Sequence, residues 1–153
     1  MRKLLLSLVL CNAFAWGPQA LAQQAPAAAQ AEDELPGPIS LELNRLEPQG
    51  AACRVWILLK NQGEAAVDPL RLDLLVFGKD GVIGRRLALD VGPVPGRKTL
   101  ARIFDLSNQS CDGVGALLLN DVLLCGGADP AQRAACLPRL TTSSRAAGVS
   151  FDK

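Results

Sequence analysis

The residues of this chain best placed to do chemistry are its cysteines: Cys53, Cys111, Cys125 and Cys136, with a fifth, Cys11, inside an apolar N-terminal run. What is missing matters as much. None of the 153 residues is histidine or tyrosine, and the only methionine is the initiator. Without histidine the commonest general base near neutral pH is gone, and with it Ser-His-Asp, Cys-His and His-metal sites. A carboxylate or lysine can still move protons. The aspartates, however, are scattered singly, and all five glutamates lie before Ala65. Composition therefore favours a chain that is not an enzyme and needs no cofactor or metal, with a carboxylate-based hydrolase as the remaining catalytic reading.

The spacings between the four later cysteines are 58, 14 and 11 residues. No CxxC pair is present for thiol–disulfide exchange, and no imidazolium is available to lower a thiol pKa. A structural zinc site wants two close cysteine pairs, which these spacings do not supply. An even count in an oxidising compartment implies two disulfides, with three connectivities open. We expect Cys53–Cys111, tying an early strand to a late one, and Cys125–Cys136, closing the Gly- and Pro-containing segment GGADPAQRAA as a surface excursion.

The N-terminus points to such a compartment. Met1-Arg2-Lys3 is followed by an apolar run from Leu4 to Ala15, too short for the ~20 residues that span a bilayer. Trp16-Gly17-Pro18-Gln19 breaks the run, and Ala20-Leu21-Ala22 supplies the small residues of a cleavage site. Residues 1–22 thus read as a cleavable signal peptide, with a periplasmic destination. Cys11 offers a lipoprotein alternative, but Leu10 stands where a small residue is wanted. With Arg2 and Lys3 removed, fourteen basic residues face fifteen acidic ones, which is no electrostatic footprint for nucleic acid or anionic lipid. No later segment is long and apolar enough for a membrane span.

Residues 23–38, QQAPAAAQAEDELPGP, lack periodicity and read as a flexible linker. From Ile39 to Lys153 the pattern is that of one domain. Ile39, Leu41 and Leu43 alternate with polar residues. The same period of two runs through Cys53, Val55, Ile57 and Leu59, and again through Leu70, Leu72, Leu74 and Val76. Turn signals separate these runs: Asn61-Gln62-Gly63, Lys79-Asp80-Gly81 and Gly92-Pro93-Val94-Pro95-Gly96. Further strands are expected over 82–91, 98–106, 115–124 and 140–144, although Leu117–Leu119 could instead open a short helix. About seven short strands separated by turns imply an all-β, immunoglobulin-like antiparallel sandwich with two disulfides.

The progression from Lys60-Asn61, through Leu75-Val76-Phe77 and Asp80-Gly81-Val82-Ile83, to Pro95-Gly96 before Thr99 resembles the immunoglobulin-like FxLYD-type domains of exported bacterial proteins. Phe77-Gly78-Lys79-Asp80-Gly81 stands for their "YD.DG" segment. The match covers residues 53–104. The four cysteines, and the tail from Leu119-Asn120-Asp121 to Ser144-Arg145, depart from it and look more like small exported Gram-negative proteins of unassigned activity. The resemblance implies fold and export, and no catalytic residue comes with it.

If Cys53, Val55, Ile57 and Leu59 face a core, Trp56 and Leu58 face outward, and Leu75 and Phe77 do the same on the next strand. Trp beside Arg is the composition of interface hot spots, so these four form the candidate interface. Arg85, Arg86, Arg97, Lys98 and Arg102 would make a basic stripe if their strands were neighbours, although alternation sends Arg85 and Arg86 to opposite faces. Blocking of edge pairing is the simpler role for them. Asn120-Asp121 interrupts an apolar run, as a buried hydrogen-bonded pair or, less simply, as calcium ligands. Together these features favour a non-catalytic periplasmic binding or assembly module whose partner is another envelope protein. A small-ligand or glycan-binding module is the alternative.

Overall fold

The computed structural model describes residues 37–153. The signal peptide expected at 1–22, Cys11 with it, and the linker as far as Pro36 lie outside the described residues. The last two linker residues belong to the domain. The Pro38 carbonyl accepts the Gln62 N–H at 2.9 Å, and Gly37 lies so close to Gly63 that neither position has room for a Cβ.

Eight strands follow: β1 (Ile39–Gln49), β2 (Ala52–Asn61), β3 (Leu70–Gly78), β4 (Ile83–Asp90), β5 (Thr99–Leu106), β6 (Val114–Cys125), β7 (Leu140–Ser144) and β8 (Ser150–Asp152). One short helix, α1 (Pro130–Cys136), sits between β6 and β7. The alternation seen in the sequence becomes burial. Leu41, Leu43, Val55, Ile57, Leu59, Leu72 and Leu74 are all fully buried between the sheets. Each such side chain contributes roughly 1.5–3 kcal/mol.

The strands form two four-stranded sheets, ordered β5-β2-β1-β7 and β4-β3-β6-β8. The first six strands take the immunoglobulin-like arrangement, with β1, β2 and β5 in one layer and β3, β4 and β6 in the other. Residues 117–119 are strand, in register with Leu74, Leu75 and Val76, and not the start of a helix.

The end of the chain departs from a purely antiparallel sandwich of about seven strands. No hairpin follows β6. The segment containing α1 carries the chain over to the other sheet, so β7 arrives parallel to β1, and a short return through Arg145–Val149 lays β8 parallel to β6. Parallel neighbours require such a crossover.

Both disulfides form as expected. Cys53 at the start of β2 is bonded to Cys111 just before β6, and Cys125 at the end of β6 to Cys136 at the end of α1. The second closes over the helix. Asp129 caps it, its Oδ1 accepting the N–H groups of Ala131 at 2.7 Å and Gln132 at 3.1 Å, with Pro130 at the first helical position.

The β3–β4 turn carries out its sequence signal. Gly81 N–H donates to the Gly78 carbonyl at 3.0 Å, and Gly81 itself sits at φ +76°, a tight turn closed by a left-handed residue. Asp80 Oδ1 then accepts the Val82 N–H at 3.0 Å.

Candidate functional site

The sheet order decides which candidate residues meet. Trp56 and Leu58 lie on β2, and Leu75 and Phe77 on β3, and these strands belong to different sheets. All four are half-buried and alternate with core positions, but the two pairs sit on opposite outer faces of the sandwich. The single outer patch expected from the sequence is therefore two separate surfaces. Period two tells a residue's face within its own sheet and says nothing of which sheet that is.

On the first surface Trp56 is already engaged. It faces Arg45 on β1 and Ile103 on β5. The Arg45 guanidinium lies 4.9 Å from the indole centroid, in cation–π range, and Trp56 Nε1 donates to Glu47 Oε2 at 2.9 Å. Glu47 also receives Arg45 at 3.0 Å, so three side chains close a ring of contacts. Beside them Arg54 makes a two-pronged pair with Asp105, which raises the guanidinium pKa and lowers that of the carboxyl. Leu58 stands between Glu42 and Ala101.

The second surface has an apolar end and a charged end. Its cross-strand rows, read from β4 through β3 to β6, are Ile83–Phe77–Ala116, Arg86–Leu75–Leu118, Ala88–Asp73–Asp121 and Asp90–Arg71–Leu124. At the apolar end Val82 is 61% and Ile83 52% exposed, two of the three strongly exposed large apolar side chains among the described residues. Phe77 and Val82 also line a cleft of about 180 Å³ with Gly78, Gly84 and Gln109. Sequence reasoning placed Val82 and Ile83 in a strand without marking them as surface. Ile83 is exposed because β4 is an edge strand, which only the sheet order reveals, and Val82 lies in the turn that leads into it.

The charged end is built around Asp73, whose place in the β3 alternation turns it to the outer face. Its side chain is buried. Arg86 donates from Nε to Oδ1 at 2.7 Å and from Nη2 to Oδ2 at 3.0 Å, and Asn120 Nδ2 donates to Oδ2 at 2.6 Å. The hydrogen bonds from Arg86 lead in holding the Asp73 carboxyl below its ordinary pKa, against the opposing effect of burial. Asn120 reaches it because the register shifts between Asp73/Asp121 and Leu74/Leu119, leaving Asn120 as the extra residue of a bulge. Asn120 and Asp121 are thus exposed and not a buried pair, and Asp121 Oδ1 accepts the N–H of its neighbour Val122.

The basic residues do not form a stripe, because β4 and β5 lie in different sheets. Arg85 donates to the Ser107 carbonyl at 2.7 Å, Arg102 to the carbonyls of Val91 and Pro93, and Arg97 pairs with Glu64. Arg85 and Arg102 occupy inward-facing positions on the two long edge strands, each tied to backbone carbonyls rather than to the other.

Among the described residues no group of three or more Cys, Asp or Glu side chains is arranged to hold a metal ion, and no helix is long and apolar enough to cross a membrane. Comparison with family models, curated proteins and solved structures finds no match to this chain. The likeness to FxLYD-type domains rests on the turn residues alone.

Proposed function

We propose that this is a non-catalytic module, exported to the periplasm, that docks another envelope protein through the outer face of the β3–β4 hairpin. The observation that carries the reading is the apolar end of that face. Val82, in the turn, and Ile83, on the edge strand β4, stand exposed beside half-buried Phe77, Leu75 and Leu118. A contiguous exposed apolar patch rimmed by charge, here Arg86 and Asp152, is the composition of a protein-binding surface. The two disulfides accord with an oxidising compartment.

Four of the described carboxylates are poorly suited to the general-acid step of a hydrolase. A general acid needs a raised pKa. Glu42, Glu64, Asp73 and Asp105 are all shifted downward, each chiefly by a hydrogen bond from a neighbouring side chain. A glycan-binding role would use a bare aromatic face, and the Trp56 ring is stacked under Arg45.

The test is partner capture from periplasmic extract with Ile83→Asp. Loss of a central apolar contact should weaken capture about thirtyfold, the equivalent of ~2 kcal/mol, while the thermal midpoint stays unchanged. Undiminished capture would remove this face from the account.

A further inference from the structure

We infer that the free edge of β4 pairs with β4 of a second copy of this chain, in an antiparallel register centred on Ala88. β4 ends its sheet, with β3 on one side and, among the described residues, no strand on the other. The Val91 N–H donates to the Leu70 carbonyl at 2.9 Å, so position 91 faces β3. Antiparallel alternation then turns the backbone groups of Leu87 and Leu89 toward β3, and those of Arg86, Ala88 and Asp90 toward the free edge. These same three residues carry the outward side chains, and all three are exposed.

An antiparallel pair of identical strands that continues one sheet must place outward residues opposite outward residues. Few registers satisfy this. Centring on Arg86 sets Arg86 against its own copy, and centring on Asp90 sets two aspartates together, both unfavourable. Centring on Leu87 or Leu89 leaves a charge opposite Ala88. With Ala88 on the two-fold axis, Arg86 stands opposite Asp90 of the second copy, twice over, and the smallest side chain occupies the axis.

The free ends of both charges are available for this. The Arg86 side chain is 69% exposed although it holds Asp73, and that of Asp90 is 70% exposed although it lies 3.6 Å from Arg71. The result is a line of alternating charge, Asp73–Arg86 of one copy continuing into Asp90–Arg71 of the other. On the inner side, half-exposed Leu87 and Leu89 meet their counterparts. The other long free edge, β5, shows Thr99, Ala101, Ile103 and Asp105 outward and has no such self-complement. The surface is the chain's own edge, so the inference stands whether or not the hairpin face docks a partner.

Sedimentation velocity of the oxidised chain, from micromolar to submillimolar concentration, tests it. The expected result is a monomer–dimer equilibrium that Asp90→Lys weakens about tenfold or more, since it sets two like charges against Arg86. In the unaltered protein, amide exchange at Arg86, Ala88 and Asp90 should slow as concentration rises. A thiol at Ala88→Cys should crosslink to itself through a short bifunctional reagent. A monomer throughout the range would overturn the proposal, and so would a dimer indifferent to Asp90→Lys whose three edge amides stay unprotected.

Discussion

Arg86 on β4 and Asp73 on β3 form a two-pronged ion pair across the outer face of their sheet, with the carboxylate buried beneath the guanidinium. The pair divides that face into its apolar and charged halves. It has a consequence for acid stability. The folded-state pKa of Asp73 lies below its ordinary value of 3.8, so the stabilisation is present above that value and is lost as pH falls through the folded pKa. Acid denaturation followed by circular dichroism should therefore show a shallower loss of stability below about pH 4 in Asp73→Asn than in the parent. At neutral pH Asp73→Asn should be the less stable of the two, because Arg86 loses its charged partner.

Asn61 is the other buried polar side chain among the described residues, and it organises two loops at once. Its Nδ2 donates to the carbonyls of Ala65 at 2.8 Å and Val94 at 3.1 Å, and its Oδ1 accepts the Gly63 N–H at 2.9 Å. Asn61→Leu would leave these backbone groups without their partner. Chemical denaturation should show a loss of about 2–4 kcal/mol, several times what an exposed Asn would cost.

Trp56 and Leu72 should separate surface from core. Leu72 is fully buried, and Leu72→Ala should cost about 2–5 kcal/mol. Trp56→Ala removes the stack under Arg45 and the bond to Glu47, so its cost should be measurable but smaller, about 1–2 kcal/mol. If docking uses the other face, Trp56→Ala leaves partner capture intact. Loss of capture in Trp56→Ala, with capture retained in Ile83→Asp, would exchange the roles of the two surfaces.

Much of the scaffold was legible in the order of residues. Strict alternation at Leu41, Leu43, Val55, Ile57, Leu72 and Leu74 marked the strands and their buried faces, and Asp80-Gly81 marked the hairpin. What the period cannot convey is partnership. Trp56 and Phe77 look equivalent along the chain and end on opposite faces, because β2 pairs with β1 and β5 while β3 pairs with β4 and β6. The burial of Asp73 is long-range in the same way, depending on Arg86 thirteen residues away and Asn120 forty-seven away. β8 is three residues long, too short for any alternation to show. α1 is a single short helix whose one clear signal, Asp129-Pro130 as cap and first residue, lay within a segment read only as a disulfide-closed excursion.

Site-specific photocrosslinking in living cells tests most directly whether a partner contacts the outer face of the β3–β4 hairpin. A benzophenone side chain is placed at Ile83, or at Thr141 on the opposite sheet, whose outward position is exposed and polar. The account predicts one discrete heterologous adduct from position 83 on irradiation, lost when Phe77 is also changed to Asp, and none from position 141. An adduct from position 141 and none from 83 would contradict it.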